Sequence, residues 1–301
     1  MIEAKRTPDD RFANLPGFPY PPHYVDDLPG YQGLRGAYID EGPRDAAQTF
    51  LCLHGEPSWS YLYRRMIPVF LESGARVVAP DFLGFGRSDK PVNQSDYSFH
   101  FHRDWLIALI ERLDLTNITL VVQDWGGLIG LTLPVHEGMR ARIARLIVMN
   151  TGLATGQSPG PGFLMWKAYA LSTPDLPIGA LIARGTPHLT PDEIAAYDAP
   201  FPDASYKAGA QVWPALVPVE PDMPGAAESR AAADFWSNHW SGPTFMAVGD
   251  ADPVLGPPQM AALRERIRGC PEPLMIAGGG HFVQEWGEEI ARAALAHFGG
   301  R

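Results

Sequence analysis

Residues 121–127 read VVQDWGG, and they join an apolar run of strand composition to a segment that continues as helix after two glycines. The junction is Asp124, which would lie in the first turn of that helix. Free backbone N–H groups and the positive end of the helix dipole should keep its carboxylate ionised at neutral pH. An ordinary helix N-cap aspartate has the same surroundings, so the motif alone leaves both interpretations open.

The composition is that of an ordinary globular protein. The 301 residues are 46% hydrophobic, which is enough for a buried core in one large domain or two small ones. A net charge of −10 and no basic run argue against a nucleic-acid partner. With no signal-peptide core and no apolar run of membrane-spanning length, we expect a cytoplasmic protein without a membrane partner. Cys52 and Cys270 form no metal or disulfide pattern, so we expect both to be structural.

Short apolar runs alternate with amphipathic segments of helix length. This pattern predicts an α/β fold with a mostly parallel central sheet flanked by helices. The expected strands are Thr49–Leu53, Arg76–Ala79, Ile118–Val122, Arg145–Met149, Thr244–Val248 and Leu274–Ala277. The expected helices are His102–Leu113, Trp125–His136, Pro257–Arg268 and Gln284–Phe298, and an early hairpin is expected at Gly30–Glu41.

A long segment interrupts this alternation. About ninety residues separate Asn150 from Thr244, far more than an ordinary loop contains. Helix starts are indicated at Thr190-Pro191-Asp192-Glu193 and near Glu228. We therefore expect a helical cap inserted between strands 6 and 7, with residues 1–155 and 231–301 as the main domain and residues 156–230 as the cap.

The turn at Asp124 resembles the nucleophile elbow of the α/β-hydrolases. Serine enzymes of that fold place their nucleophile in a G-x-S-x-G turn. Here Gly126 fits the pattern, Val122 departs from it, and Asp124 stands in place of the serine. A carboxylate suits attack on a saturated carbon that carries a leaving group, whereas serine attacks acyl groups. The substitution therefore changes the expected class of reaction.

A second segment has the chain position of the loop that completes the oxyanion hole in that fold. His54-Gly55-Glu56-Pro57 directly follows the first of the listed strands. The backbone N–H groups of Glu56 and Trp125 are then the expected oxyanion donors. Taken alone, a Gly-Pro turn with a hydrogen-bonded histidine is the simpler interpretation of this loop.

A third segment supplies a candidate base. His281 follows Gly278-Gly279-Gly280 near the end of the chain, in the hydrolase order of nucleophile, acid and histidine. For the acid, Asp250 and Asp252 both follow the preceding strand, and spacing does not choose between them. In the resulting mechanism Asp124 forms an alkyl ester, and His281 takes a proton from the water that hydrolyses the ester.

With these motifs together, the sequence resembles the haloalkane dehalogenases, in the subfamily typified by the dichloroethane-degrading enzyme. The resemblance covers essentially the whole chain. It rests on HGEPSWSYLYRRM (His54–Met66), DFLGFGRSDKP (Asp81–Pro91), NITLVVQDWGG (Asn117–Gly127), GFLMWK (Gly162–Lys167), YDAPFPDASYKAG (Tyr197–Gly209), GCPEPL (Gly269–Leu274) and GGHFVQEWGE (Gly279–Glu288).

The resemblance implies hydrolysis of a carbon–halogen bond to an alcohol, a halide and a proton, with no cofactor and no metal. The partners it implies are a small halogenated aliphatic substrate and a chloride or bromide product. In that subfamily two indole N–H groups hold the halide, and the matching residues here are Trp125 and Trp166. Indole N–H is a donor without a competing acceptor, which suits halide binding. Packing in the cap core is the simpler interpretation of Trp166.

The resemblance also chooses the acid. One branch of the family has its acid after the strand that precedes the cap and an asparagine in the His-Gly loop, where this chain has Asn150 and Glu56. The other branch has the acid in a Gly-x-x-Asp-x-x-Leu-Gly context, and residues 249–256 align there on Asp252. Asp252 is therefore the expected acid, and Asp250 is expected to be a turn residue.

Two other functions fit parts of this pattern. An epoxide hydrolase shares the aspartate elbow and the His-Gly loop but needs cap tyrosines, for which Tyr169, Tyr197 and Tyr206 are available. A non-catalytic protein could use the same fold to bind a small apolar ligand. We expect Phe163, inside the cap motif, to line the substrate pocket, and we expect a monomer.

Overall fold

The computed structural model describes residues 2–299 and is built around one large sheet. The strands are β1 (Ala4–Lys5), β2 (His23–Val25), β3 (Gly36–Glu41), β4 (Thr49–Leu53), β5 (Arg76–Asp81), β6 (Lys90–Pro91), β7 (Ile118–Val122), β8 (Ile143–Met149), β9 (Thr244–Gly249) and β10 (Leu274–Ile276). Eight of them form the sheet in the order β10-β9-β8-β7-β4-β5-β3-β2, while β1 pairs with β6 separately. The pairs from β10 to β5 are parallel, and β3 runs antiparallel to both of its neighbours.

The central strands β4 and β7 position the site. Every residue of both strands is buried, as expected for parallel strands with helices on both faces. Their register pairs Leu53 with Val122, so both strands end at the same level. The segments that follow them, beginning with His54 and Gln123, are therefore neighbours at the carboxyl edge of the sheet, where parallel α/β sheets bind their ligands.

The helices are α1 (Ile67–Glu72), α2 (Phe99–Arg112), α3 (Asp124–Gly130), α4 (Pro161–Ser172), α5 (Ile178–Arg184), α6 (Pro191–Asp198), α7 (Ala208–Leu216), α8 (Ala226–Asp234), α9 (Pro257–Glu265) and α10 (Gly287–His297). Of these, α1, α3, α9 and α10 contact strands of the large sheet. Within residues 2–299, no helix has the length and apolar character that crossing a membrane would require.

All six expected strands are present. The predicted bounds of β4 and β7 are correct, and those of β5, β8, β9 and β10 differ by one or two residues. The hairpin prediction is wrong in part, because β3 lies inside Gly30–Glu41 but its antiparallel partner is β2, at His23–Val25. The connection between them is longer than a tight hairpin turn, and it includes the left-handed Gly30 and Gly33.

The expected helix Trp125–His136 is too long. The helix α3 ends at Gly130, and a short 3₁₀ turn at Leu133–Val135 follows. Pro134 has no N–H to donate to the carbonyl of Gly130, so an α-helix cannot continue regularly through it. The last two helices are also shorter than expected, since α9 stops at Glu265 and a 3₁₀ turn precedes α10.

The insertion lies where the sequence predicts it. In chain order β8 and β9 are the sixth and seventh strands of the large sheet, and α4 to α8 lie between them. Thr190 caps α6 in a capping box with Glu193, and Glu228 lies in the first turn of α8. The division into a main domain and a cap at residues 155/156 and 230/231 stays a prediction.

A buried ion-pair cluster ties the insertion to the rest of the protein. Arg64 has a side chain only 2% exposed, and its guanidinium contacts Glu285 at 2.6 Å and Glu193 of α6 at 2.9 Å. The hydroxyl of Tyr197, also on α6, donates to Glu285. The helix α6 is therefore held by charged groups that have little access to water, where such pairs are sensitive to losing one partner.

Arg64→Ala should lower the free energy of unfolding by about 3–5 kcal/mol, because it leaves the buried carboxylate of Glu285 without its main partner. Urea unfolding followed by circular dichroism measures this change. Arg292→Ala is the matched control, since Arg292 pairs with Glu72 and Glu288 on the surface and should show no measurable change. Equal effects of the two substitutions would contradict a special role for the buried cluster.

Candidate active site

Asp124 lies at a strained turn between β7 and α3. Its φ of +47° is in the left-handed region, which costs a residue other than glycine about 1–3 kcal/mol unless the surroundings impose it. Its backbone N–H donates to the carbonyl of Asn150, at the end of the neighbouring strand β8, at 3.0 Å. The turn thus directs the carboxylate out of the sheet edge.

Two glycines allow the loop after β4 to approach this turn. A Cβ on Gly126 would lie 2.0 Å from the carbonyl oxygen of Leu53, and one on Gly55 would lie 2.3 Å from Asp124 Oδ2. Because neither position has a side chain, the Glu56 N–H donates to Asp124 Oδ2 at 2.8 Å. For Trp125, the N–H lies in the first turn of α3 and so has no carbonyl partner within the helix.

His54, in the same loop, has both ring nitrogens in contact with backbone groups. Its ring is fully buried, with Nε2 accepting from the Phe82 N–H at 3.0 Å and Nδ1 at 2.9 Å from the Gly55 carbonyl. Burial lowers the pKa of His54, which keeps the ring neutral. His54 is therefore the hydrogen-bonded histidine that the simpler interpretation of this loop predicts.

His281 lies between two aspartates. Its Nδ1 is 2.8 Å from Asp252 Oδ2, and its Nε2 is 3.5 Å from Asp124 Oδ1. The other oxygen of Asp252 accepts the backbone N–H groups of Val254 at 2.8 Å and Leu255 at 3.1 Å. The three predicted side chains of the nucleophile, base and acid are thus brought together in one row.

Asp250 faces elsewhere. Its carboxylate accepts the backbone N–H of Gly278 at 2.7 Å, on the loop that leads to His281. Its neighbour Asp252 is buried, whereas Asp250 is exposed. The two candidates that spacing could not separate therefore have different surroundings, and only Asp252 contacts the histidine.

Charges and burial determine the protonation of these groups. Burial alone would raise the pKa of Asp252, but the charge of His281 and the hydrogen bonds to the carboxylate lower that pKa to about 2. Burial alone would lower the pKa of His281, but Asp252 and Asp124 outweigh it and raise that pKa well above its usual range. For Glu56, burial and then the charge of Asp124 raise the pKa well above its usual range, which favours the neutral carboxyl group.

A cavity of about 570 Å³ opens in front of Asp124 and His281. Trp125, Trp166 and Phe163 all contribute to its wall. Trp125 is 2% exposed and Phe163 is buried, whereas Trp166, on α4, is half-buried. Other apolar wall residues are Leu128, Leu153, Leu181, Val217 and Val254. The cavity is of the size and character that small organic ligands occupy.

Two residues of the site were missed by the sequence analysis. The sequence marks Asn150 only as a position where an acid could stand, yet its side-chain amide donates to Asp252 Oδ2 at 3.0 Å. It marks Gln123 only as part of a motif, yet the amide of Gln123 contacts His281. The only signal in the sequence was their place at the carboxyl ends of β8 and β7.

Within residues 2–299, no group of three or more histidine, cysteine, aspartate or glutamate side chains has an arrangement that could hold a metal ion. The chemistry available to the site, as the structure describes it, is that of a carboxylate, an imidazole, backbone N–H groups and indole N–H groups. This set can perform nucleophilic attack, general base catalysis and the binding of an anion.

The sheet order, the elbow and the loop after β4 define an α/β-hydrolase. A sequence model of the family described as "alpha/beta hydrolase fold" matches residues 48–288. The chain is 45% identical to a haloalkane dehalogenase of Mycobacterium marinum, over 98% of this chain and 99% of that protein, and 47% identical to one of Psychrobacter cryohalolentis, over 97% and 96%. A solved structure of a tetrameric haloalkane dehalogenase from Paraglaciecola agarilytica superposes with a TM-score of 0.96, at 53% identity over 98% of both chains.

The chain therefore belongs to the haloalkane dehalogenase family. The predictions of the fold, of the family and of an enzyme are confirmed. The subfamily stays a prediction, and so does the expected monomer, since the solved relative is described as tetrameric.

Asp252→Asn should lower the pKa of His281, because the charge of Asp252 is the main influence that raises it. Asp250→Asn is the matched control and should leave that pKa unchanged. NMR titration of protein labelled at the histidine Cε1 carbon measures both values. A shift of the same size in the two variants would contradict the assignment of Asp252 as the partner of His281.

Proposed function

We propose that the protein hydrolyses the carbon–halogen bond of small haloalkanes to give a primary alcohol, a halide ion and a proton. The observation that carries this proposal is the surroundings of the Asp124 carboxylate on the cavity wall. One of its oxygens accepts the Glu56 N–H at 2.8 Å, and the other faces His281 Nε2 at 3.5 Å. Membership of the haloalkane dehalogenase family supports the same activity.

In the first step, Asp124 Oδ1 attacks the carbon that carries the halogen. The new C–O bond forms as the carbon–halogen bond breaks, and the halide leaves with the bonding electrons. A carboxylate needs no base for this displacement, so His281 is not consumed. The result is an alkyl ester on Asp124.

Trp125 and Trp166 are the proposed halide ligands. Both indoles line the cavity, and an indole N–H can donate to a halide without offering a base. A donor in place where negative charge develops stabilises the transition state as well as the product. Phe163, on the same wall, is the proposed contact for the apolar part of the substrate.

In the second step, water attacks the ester carbonyl of Asp124 and gives a proton to His281. The charge that develops on Oδ2 is held by the N–H of Glu56 and, in our proposal, by that of Trp125. Asp252 stabilises the imidazolium that forms. Collapse of the intermediate releases the alcohol and restores the carboxylate, and His281 returns its proton to solvent.

The two steps are coupled through the charge of Asp124. In the resting enzyme, Asp124 is one of the groups that raise the pKa of His281. An ester has no charge, so formation of the intermediate removes that influence and lowers the pKa of His281. A larger fraction of His281 is therefore neutral, and able to accept a proton from water, at the step that requires a base.

An epoxide hydrolase is the chemical alternative, and it requires tyrosine hydroxyls above the nucleophile. The candidates Tyr169, Tyr197 and Tyr206 are not among the residues that line the described cavity. Tyr197 is fully buried and donates to Glu285. A protein that only binds ligands is a weaker alternative still, because it has no need for the row of Asp124, His281 and Asp252. Hydrolysis of styrene oxide is the assay that distinguishes an epoxide hydrolase from a haloalkane dehalogenase.

With 1-bromobutane, the wild-type protein should release bromide continuously, and Asp124→Asn should release none. His281→Phe should release about one equivalent and retain a butyl group on the peptide that contains Asp124, because ester hydrolysis loses its base. Halide assay and peptide mass spectrometry measure these results. Asp250→Asn changes a residue outside the cavity, so this variant should release bromide at the wild-type rate. Folded wild-type protein that releases no halide from several primary bromides and chlorides would refute the proposal.

Chloride or bromide should quench the intrinsic fluorescence if Trp125 and Trp166 bind the ion. Trp166→Phe should weaken halide binding by about tenfold or more, since it removes one charge-assisted hydrogen bond. Fluorescence titration gives the dissociation constant. Trp240→Phe is the control, because the Trp240 indole donates to Thr244 at 2.8 Å and does not line the cavity. An unchanged spectrum at high halide would contradict the two-tryptophan site.

A further inference from the structure

Gln123, the residue before the nucleophile, contacts the proposed base directly. Its side chain is fully buried. The amide nitrogen Nε2 lies 3.0 Å from the backbone carbonyl oxygen of His281 and 3.1 Å from the ring nitrogen Nε2 of the same residue. One amide group therefore touches both the backbone and the reactive nitrogen of His281.

The surroundings determine which way this amide points. A carbonyl oxygen only accepts, so the part of Gln123 that faces the His281 carbonyl must be the NH₂ group. On the other side, Gln284 Nε2 lies 3.3 Å from Gln123 Oε1. Gln284 Nε2 also lies 3.5 Å from the hydroxyl oxygen of Tyr63, whose proton is donated to the carbonyl of Leu53 at 2.7 Å. Because the carbonyls of His281 and Leu53 can only accept, donor and acceptor are determined for every hydrogen bond in this series, with Gln284 donating to both of its neighbours.

The orientation of this amide indicates the tautomer of the histidine. When the His281 ring is neutral, the donor from Gln123 favours the tautomer in which Nε2 accepts and holds no proton. The proton is then on Nδ1, which donates to Asp252 at 2.8 Å. A neutral imidazole in this tautomer carries its basic lone pair on Nε2, the atom that would take a proton from water.

The charged groups around His281 favour protonation of the ring, whereas the donor from Gln123 disfavours it. Asp252, from the loop after β9, and Asp124, on α3, both favour the imidazolium. For Glu56, from the loop after β4, burial raises the pKa and so favours the uncharged form. When Asp124 is esterified, Asp252 is the remaining charge next to the ring, and the donor from Gln123 then acts against protonation at Nε2.

We propose that Gln123 is a positioning residue for ester hydrolysis, which holds His281 Nε2 free of a proton in the alkyl-enzyme. The proposal rests on the proposed dehalogenation mechanism and deepens it. Gln123 acts through His281 and has no part in the displacement step. Its loss should therefore slow hydrolysis of the ester and leave formation of the ester unchanged.

A purely structural role makes a different prediction. If Gln123 only fills buried space and satisfies Gln284, its replacement should lower stability or slow both chemical steps together. It should not change the pH dependence of one step alone. The separation of the two steps is therefore the decisive measurement.

The test uses Gln123→Glu, which keeps the shape and the acceptor toward Gln284 but replaces the donor by an oxygen. With 1-bromobutane, the bromide burst measures ester formation, the steady rate measures hydrolysis, and intact-protein mass spectrometry measures the butyl adduct. The burst should match wild type, the steady rate should fall by about tenfold or more, and the adduct should accumulate. The pH midpoint of the steady rate should move upward, because the substituted oxygen favours the imidazolium.

Gln284→Met is the second variant, because it removes the donor that holds Gln123 Oε1 in place, and Gln284 does not line the cavity. It should show the same changes at smaller size, which keeps the proposal testable if Gln123→Glu does not fold. Gln48→Met is the matched control, since Gln48 bonds to Thr119 and Arg145 at the opposite edge of the sheet. It should behave as wild type.

The outcomes are distinct. A folded Gln123→Glu protein that loses burst and steady rate in equal proportion, or that keeps the wild-type pH midpoint, overturns the role of Gln123. No release of bromide by the wild-type protein overturns the proposed function itself. A normal wild-type burst with an unchanged adduct level in both glutamine variants rejects the positioning role alone.

Discussion

The left-handed backbone of Asp124 is the constraint on which the site depends. Residues other than glycine seldom adopt φ of +47°, and here the hydrogen bond to the Asn150 carbonyl and the close contact at Gly126 hold Asp124 in that conformation. This conformation lifts the carboxylate out of the sheet edge. It also fixes where the Glu56 N–H and His281 must lie to reach it. The strain at one residue is thus supported by three parallel strands, β4, β7 and β8.

The charges in the site are few and unequally distributed. The charge of His281 and several hydrogen bonds outweigh burial and hold the pKa of Asp252 at about 2, while burial and the charge of Asp124 raise the pKa of Glu56 well above its usual range. The pKa values of two buried carboxyl groups in one cavity are therefore displaced in opposite directions, because the charge of His281 and the donors outweigh burial at Asp252 but not at Glu56. This asymmetry limits the repulsion that a leaving halide would meet in the cavity.

Neutral amides hold the charged groups in place. Asn150 donates to Asp252 and accepts the N–H of Gly249, while Gln123 donates to His281 and accepts from Gln284. An amide satisfies buried donors and acceptors without adding a charge that would itself need a partner. In a poorly solvated site, such groups can orient a histidine and an aspartate at less cost than another ion pair.

The sequence by itself determined six strands of the sheet, the insertion and the chain positions of Asp124 and His281, whereas the choice of Asp252 over Asp250 needed the family resemblance as well. Strand periodicity, the glycine turns and the order of the motifs are local properties, so they can be read one segment at a time. Contacts at Asn150 and Gln123 could not be read in this way. Hydrogen bonds between buried amides have no periodic signature, and the partners of Gln123 are Gln284 and His281, which lie far along the chain. Only the tertiary structure decided them, because parallel strands bring distant segments to the same edge of the sheet.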